Sequence, residues 1–185
     1  VAYQTAWLKA HYPAEFMAAL LSSEIGNTDK VVQYINEARE LGLEVMPPDV
    51  NESGFKFTVV GENRLRFGLG AIRNVGAGVI ESMIEARRDG PFHDLWDFVG
   101  RIALRLGNRR VIESLIVAGA CDGLGGHRRQ YLEALDAALG EAQLRQQERD
   151  AGQSSLFGEV LPTSRPAGHN LPDVPPLPEA ERLAR

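Results

Sequence analysis

The sequence predicts a mainly α-helical fold: a helical segment with a short β-hairpin, then a repeated helical module, then a proline-rich extended tail. Apolar residues recur at helical spacing through most of residues 2–147. Residues 55–60 (FKFTVV) and 64–67 (RLRF) flank a turn sequence at 61–63 (GEN), which predicts the hairpin. Six of the ten prolines fall within residues 162–178, which is typical of an extended linker.

Three antiparallel helices are expected before the hairpin. The first covers residues 2–10, and the second begins at Pro13, a favoured residue at the first helical position, and ends near Ser23. Thr28 is the expected N-cap of the third helix, which ends near Gly42. The apolar face of this third helix consists of Val31, Val32, Ile35 and Ala38.

Two stretches of the later helical region, residues 70–147, nearly repeat each other. Residues 79–86 (VIESMIEA) return 32 positions later as residues 111–118 (VIESLIVA), and the first copy follows a turn of small residues at 72–78 (IRNVGAG). The first amide N–H groups of a helix have no intrahelical partner and carry partial positive charge, so an anion satisfies them. The two glycines of the turn let a phosphate approach the backbone.

This combination is typical of a helix-hairpin-helix motif, which holds nucleic-acid phosphate through backbone amides and does not read base sequence. An ordinary glycine-rich corner between two packed helices is the alternative. The charge distribution favours the first interpretation. The net charge is −5, but residues 62–130 hold 11 Arg, no Lys, and 8 Asp or Glu. Because arginine suits bidentate phosphate contacts, we expect a local basic face whose weak binding is readily abolished by salt.

Composition excludes several classes of protein. The single cysteine, Cys121, allows no disulfide within the chain and no cysteine-based metal site, which favours a reducing, cytoplasmic setting and a core position for its thiol. No stretch approaches the roughly 20 apolar residues that span a bilayer, and no signal peptide is recognisable, so we expect no membrane partner. Because the chain begins without Met and within a helical pattern, we expect a piece of a longer protein.

Catalytic motifs are absent from the sequence. Residues 68–73 (GLGAIR) imitate a dinucleotide-binding loop, but Arg73 stands where a third Gly or Ala is needed. No carboxylate pair suits two-metal phosphoryl transfer. The histidines are scattered without metal-ligand spacing: His11, His93, His127 and His169. We therefore expect no catalysis, metal or cofactor for this chain alone.

Five stretches together carry a family resemblance. They are AYQTAWLKAHYPAEFMAALL at 2–21, PPDVN at 47–51, FGLGAIRNVG at 67–76, NRR at 108–110 and LIVAGACD at 115–122. In this order they resemble the alpha-subunit family of the bacterial replicative DNA polymerase III. The resemblance covers roughly residues 2–158, and residues 181–183 resemble a helix that precedes the next domain of that family.

The resemblance implies a non-catalytic part of a polymerase. Residues 1–67 would end the fingers region, and residues 68–150 would form a tandem helix-hairpin-helix module on double-stranded DNA. Residues 151–178 would hold a clamp-binding motif and linker, and residues 179–185 would begin the next helix. The palm, with its metal-binding aspartates and the Mg²⁺ expected there, would lie upstream in the parent chain. The parent chain would also contact other subunits of the replicative holoenzyme. Whether Lys9 of the fingers part touches an incoming nucleotide is left open.

Candidate DNA contacts also follow from the resemblance. Backbone amides of the first hairpin would bind phosphate: Val75, Gly76, Ala77 and Gly78. Five arginines would support them: Arg73, Arg109, Arg110, Arg128 and Arg129. For each arginine, a solvated helix face or an internal ion pair is the alternative. The second hairpin is expected at residues 119–122 (GACD), where one glycine replaces two.

Residues 153–158 (QSSLFG) resemble the internal clamp-binding motif of the family. Gln153 would make polar contacts at the rim of a pocket on the sliding clamp, while Leu156 and Phe157 insert as apolar anchors. Ordering a flexible segment offsets much of the contact energy, so the affinity should be modest. A small contact back onto the same domain is the alternative.

Two other functions stay open at this point. A stand-alone helix-hairpin-helix module of a repair protein would bind duplex DNA, but it would need neither the opening helices nor the Gln-x-x-Leu-Phe pattern. A purely structural helical domain would bind neither DNA nor a clamp.

Overall fold

The computed structural model describes residues 2–150 and 170–178, and its first part opens with three helices. As the sequence predicts, α1 spans Ala2–His11, α2 spans Pro13–Ser23 and α3 spans Thr28–Glu40. The N-cap of α3 is Asn27 rather than Thr28, because the Asn27 side chain accepts the Lys30 amide at 3.3 Å. Asparagine is among the best capping residues, so the helix starts one residue earlier than expected, at Thr28.

A three-stranded sheet follows, one strand larger than the predicted hairpin. β1 spans Glu44–Met46, β2 spans Thr58–Gly61 and β3 spans Arg64–Arg66, in the order β1-β3-β2. β2 and β3 form the predicted antiparallel hairpin, and Asn63 in its turn has a φ of 57°, which asparagine tolerates. β1 pairs with β3 in parallel, and its three residues are too few for a pattern in the sequence to reveal it.

A first hydrophobic core lies among α2, α3 and the sheet. Its members include Met17, Leu21, Val31, Ala38, Leu43, Phe57 and Leu65. Val32, which the sequence placed on the apolar face of α3, is instead 53% exposed. Adjacent helical residues point about 100° apart, and here Val31 faces the core while Val32 faces solvent.

Four further helices lie in the second part of the described chain. α4 spans Ala77–Ala86, α5 spans Leu95–Arg101, α6 spans Arg109–Val117 and α7 spans Arg128–Asp150. α4 and α6 contain the two copies of the repeat, so both copies are helical as predicted. A single turn of 3-10 helix at Leu69–Ala71 precedes the glycine-containing turn at residues 72–78, which leads into α4.

The glycines of the sequence GLGAIR are required by packing. A Cβ atom on Gly68 would lie 2.6 Å from the carbonyl carbon of Lys56, and one on Gly70 would lie 2.8 Å from the carbonyl oxygen of Phe55. Real Cβ atoms do not approach backbone so closely, so the chain crossing at these two positions excludes a side chain.

The second hydrophobic core lies among α4, α5, α6 and α7. Its fully buried side chains include Ile80, Met83, Leu95, Phe98, Ile112, Leu115, Ile116 and Tyr131. Cys121 is fully buried here, as expected for a core residue, and burial raises the pKa of its thiol. Burial also raises the pKa of Tyr131 to about 12. Phe67 packs against both cores and so joins the two parts.

The tail is described only from residue 170 to residue 178, where it contains no helix or strand. Leu171 packs against the second core, and the backbone meets the start of α7. The predicted extended linker is therefore not confirmed. The clamp-binding motif at 153–158 and the helix start at 179–185 lie outside the described residues. Among the helices that are described, none combines the length and apolar character needed to cross a membrane.

Candidate nucleic-acid interface

The turn before α4 is held by buried side chains, and its exposed residues are Arg73, Asn74 and Gly76. The amide of Val75, a phosphate contact predicted from the sequence, instead donates to the Ile72 carbonyl at 3.2 Å. Ile72 is 8% exposed and Val75 is 5% exposed, so both anchor the turn in the second core. Between them Asn74 has a φ of 68°, a left-handed conformation that asparagine adopts more readily than most residues. Gly76, which directly follows Val75, is the N-cap of α4 and lies at the surface.

No side chain caps the N-terminus of α4. Gly76, Ala77 and Gly78 are all exposed, and the amides at the start of a helix cannot bond within it. A Cβ atom on Gly76 would have no neighbour within 4 Å, and one on Gly78 would lie 3.6 Å from Leu106 Cδ1. The Cβ directions at both glycines are therefore free of close backbone contacts, and the partial positive charge of the helix terminus favours an anion nearby.

The turn before α6 is built differently. The 32-residue offset of the repeat places Asn108 in register with Gly76, and both residues are N-caps. The Asn108 side chain accepts the Val111 amide at 3.2 Å, so a side-chain oxygen already satisfies one of the amides that an anion would need. Arg109 and Arg110 replace the small residues Ala77 and Gly78 of the first copy.

This register corrects the position of the second turn. Residues 119–122, which the sequence analysis chose as the second hairpin, follow α6 instead of preceding it. The site beside Gly119 is occupied, because a Cβ atom there would lie 2.2 Å from a terminal nitrogen of Arg128. An arginine side chain, and not open solvent, faces this loop.

Two serines at equivalent positions of the repeat, one in α4 and one in α6, each contact the chain leading into the other helix. Ser82 Oγ in α4 accepts the backbone N–H of Ala103 at 2.9 Å, and Ser114 Oγ in α6 accepts the Asn74 side-chain amide at 3.1 Å. Each repeat helix thus holds the turn that belongs to the other copy. The two turns also approach each other directly, because a Cβ atom on Gly78 would lie 3.6 Å from Leu106 Cδ1. We call the two turns together the paired-turn face (residues 73–78 and 105–110).

Three of the five candidate arginines have internal partners. Arg109 pairs with Asp136 of α7, and this hydrogen bond raises the pKa of Arg109. Arg129 donates to Glu133 at 3.3 Å, one helical turn further along α7.

Arg128 is the most deeply engaged of the three, with a side chain only 17% exposed. It donates to both carboxylate oxygens of Asp122, at 3.1 and 2.9 Å, and to the Val117 carbonyl at 3.0 Å. The hydrogen bond to Asp122 is the main cause of its raised pKa. This guanidinium therefore fastens the end of α6 to the start of α7.

The other two candidates, Arg73 and Arg110, are exposed, and their guanidinium groups have no hydrogen-bond or ion-pair partner among the described residues. Arg105 has the same properties but was missed in the sequence analysis. The signal was present, because Arg105 follows Arg73 by the same 32 residues that relate Asn108 to Gly76. Three cationic side chains thus extend from the paired-turn face without internal neutralisation.

Comparison with known proteins agrees with this geometry. A family model described as a helix-hairpin-helix motif matches residues 42–131, a range that contains both turns. The chain is 44% identical over 184 residues to the DNA polymerase III subunit alpha of Vibrio cholerae. It is 47% identical over 176 residues to that of Pseudomonas fluorescens, and 41% identical over 180 residues to that of Escherichia coli strain K12.

The chain is homologous to part of the DNA polymerase III alpha subunit. These alignments cover 99%, 87% and 97% of this chain but 16%, 15% and 16% of the respective relatives. The chain therefore spans about a sixth of the length of the curated relatives that it matches. Resemblance to this family, drawn from five short stretches of sequence, is confirmed over nearly the whole chain.

Proposed function

We propose that this chain is a non-catalytic, duplex-holding part of a bacterial replicative DNA polymerase, acting in the cytoplasm during DNA replication. The observation that carries the proposal is the paired-turn face. There, the uncapped N-terminus of α4 lies in the same surface as three exposed arginines without internal partners. Nucleotidyl transfer, with its Mg²⁺, and contacts with other holoenzyme subunits would belong to the rest of the parent polymerase.

The physical basis is recognition of the phosphate backbone. The exposed amides of Gly76, Ala77 and Gly78 match a phosphate oxygen in charge and in hydrogen-bonding type. Arg73, Arg105 and Arg110 add mobile positive charge on either side. Backbone contacts carry no sequence information, which is what a polymerase needs in order to move along any template. Because the contacts are few and exposed, binding by this chain alone should be weak and should fall steeply with salt.

DNA binding is tested with two labelled duplexes of unrelated sequence, by fluorescence anisotropy of the full chain at several salt concentrations. We expect similar affinity for both duplexes. In Gly76→Asp the new carboxylate caps α4 and repels phosphate, so the affinity should fall about tenfold or more while the fold is kept.

Asn108→Asp is the matched control, because it adds the same charge at the equivalent N-cap and preserves the existing cap. We expect it to weaken binding much less than Gly76→Asp does. Equal losses in the two variants would contradict the assignment of the phosphate site to the first turn. A clear preference between the duplexes would contradict recognition of the backbone alone, and no binding by the unaltered chain would contradict DNA binding itself.

We also propose that residues 153–158 bind a bacterial sliding clamp. The support is the sequence itself: two large apolar residues, Leu156 and Phe157, adjoin each other in a polar segment, and Gln153 precedes them at the spacing of a Gln-x-x-Leu-Phe motif. Such a segment anchors through its apolar pair, with the glutamine at the rim of the pocket. Attachment to a clamp would retain the polymerase on DNA even though its own grip on DNA is weak.

Clamp binding is measured by surface plasmon resonance with immobilised clamp. The double variant Leu156→Ala/Phe157→Ala should lose binding, because both anchors are removed. Val160→Ala/Leu161→Ala is the control, since it removes two apolar residues just outside the motif. If both variants bind like the unaltered chain, or the unaltered chain does not bind, the clamp proposal is wrong.

A further inference from the structure

The tail segment Asn170–Pro178 (NLPDVPPLP) returns to the beginning of α7 and enters a groove there. Leu171 is partly buried against the second core. The floor of the groove is Gly126: a Cβ atom on it would lie 2.4 Å from Leu171 Cδ1 and 3.0 Å from the Tyr131 ring. The absence of a side chain at position 126 makes the room that Leu171 occupies.

Two side chains at the start of α7 hold the backbone of this segment. Gln130 Nε2 donates to the Pro172 carbonyl at 3.0 Å, and His127 Nε2 lies 3.0 Å from the Val174 carbonyl. The carbonyls are two residues apart, and each receives its own donor. A proline-containing segment suits this arrangement, because proline restricts the free chain and leaves carbonyls as its main polar groups.

The same two side chains also cap α7. The backbone N–H of Gln130 lies 3.4 Å from His127 Nδ1, and the backbone N–H of His127 donates to the side-chain oxygen Oε1 of Gln130 at 3.1 Å. This is the reciprocal pattern of a capping box, with histidine in the place of serine or threonine. With Nδ1 accepting from the backbone, the tautomer that fits carries its proton on Nε2, the nitrogen that faces Val174.

We propose that this groove is a binding site for a proline-containing segment, and that Asn170–Pro178 is its resident occupant, a strap that fixes where the chain leaves the helical module. α7 has 23 residues and is therefore about 34 Å long. With the strap in place, Pro176 and Leu177 lie beside Gly126 and the first turn of α7, and not at its far end. The strap thus fixes the position of residues 170–178 relative to α7, and this inference is independent of DNA and clamp binding.

The capping box allows the strap to be released without damage to the helix. In His127→Asn/Gln130→Glu the asparagine oxygen can cap the helix and the glutamate can accept the N-cap amide, as in a standard capping box. The donor to the Pro172 carbonyl is lost and the new carboxylate repels that carbonyl, while the asparagine side chain is shorter than the imidazole whose Nε2 reaches Val174. Gln143→Glu, on an exposed part of α7, is the matched control for the added charge.

Strap position is measured by pulsed electron paramagnetic resonance on the full chain, with spin labels on Asp173→Cys and Ala137→Cys, both at exposed positions. The native Cys121 is fully buried, so labels should attach at the two introduced sites. We expect a narrow distance distribution in the labelled chain and in Gln143→Glu. We expect a broad one in the double variant, at an unchanged helix content by circular dichroism.

A narrow distribution in the double variant, or a broad one before any change, would overturn the proposal. If the double variant loses helix, Leu171→Ala provides the decisive measurement. This substitution removes the apolar anchor from the strap side without altering α7. A broad distribution in Leu171→Ala supports the strap, and a narrow one refutes it.

Discussion

The turns before α4 and α6 lead into nearly identical helices but present different chemistry. The first turn ends in Gly76 and leaves the helix amides exposed, whereas the second ends in Asn108, whose side chain covers one of them. Arg109 and Arg110 then replace Ala77 and Gly78. The first copy offers backbone donors to an anion, and the second offers mainly guanidinium groups. A duplicated unit can therefore keep its packing while its two copies contact a ligand by different means.

The conserved part of the repeat is the part that packs. Val79 and Val111, Ile80 and Ile112, and Met83 and Leu115 are all buried at equivalent positions. The serines at 82 and 114 likewise each hold the opposite turn. The N-cap and the two residues after it all differ between the copies, whereas residues 79–86 and 111–118 differ only at Met83 against Leu115 and at Glu85 against Val117. The N-cap and the two residues after it are exposed in both copies, so a substitution there alters the surface and leaves the packing of the core unchanged.

The largest expected effect tests whether the two repeat helices contribute equally to the core. Ile80 and Ile112 are 1% and 0% exposed, and truncating such a side chain leaves a cavity in a close-packed interior. Ile80→Ala and Ile112→Ala should each lower the free energy of unfolding by about 2–5 kcal/mol. Urea titration followed by circular dichroism measures both. A loss confined to one variant would show that the copies are not equivalent in packing.

A smaller effect separates structural arginines from ligand-binding ones. Arg128→Ala removes the hydrogen bonds to Asp122 and Val117, and should lower the free energy of unfolding by about 1–3 kcal/mol. DNA affinity measured well below the unfolding temperature should stay nearly unchanged. The reverse outcome, lost affinity with full stability, would return Arg128 to the binding surface as the resemblance implied. Urea titration and fluorescence anisotropy on the same preparation distinguish the two.

Arg128 shows which features of the structure can be predicted from the sequence and which cannot. Helix bounds, the hairpin and the exposed glycine-rich turn follow from local rules of capping, periodicity and turn chemistry, and the structure agrees with them closely. Which arginines are free does not follow from local rules. The partners of Arg109 and Arg128 lie in other elements, 27 and 6 residues away, and only the packing of α6 on α7 brings Asp136 to Arg109.

Other discrepancies have equally physical causes. β1 is three residues long and is stabilised by its parallel partner β3, so its own sequence carries no strand pattern. The packing of Asn170–Pro178 against the start of α7 depends on the room that Gly126 leaves for Leu171, and composition alone does not reveal that room. Arg105 was different, because the 32-residue offset already related it to Arg73. Applying the repeat to the turns as well as to the helices would have found it.

A third prediction exchanges the caps between the copies. Gly76→Asn gives α4 the cap of α6, so an amide that faced solvent becomes satisfied internally, and DNA affinity should fall several-fold. Asn108→Gly opens α6 and should not weaken binding. Because asparagine and glycine differ by only a few tenths of a kcal/mol as N-caps, both proteins should unfold at nearly the same urea concentration. Affinity that falls in Asn108→Gly and not in Gly76→Asn would reverse the roles of the two turns.

The smallest effects concern single arginines and are best read from salt dependence. Each guanidinium that neutralises a phosphate should contribute about 0.9 to the slope of log affinity against log salt. Arg73→Gln, Arg105→Gln and Arg110→Gln should each reduce that slope by about this amount and lower affinity a few-fold. Arg129→Gln, whose guanidinium already donates to Glu133, should leave the slope unchanged. If Arg105→Gln and Arg110→Gln behave like Arg129→Gln while Arg73→Gln does not, only the first turn touches the duplex, and the exposed arginines of the second copy are a solvated surface.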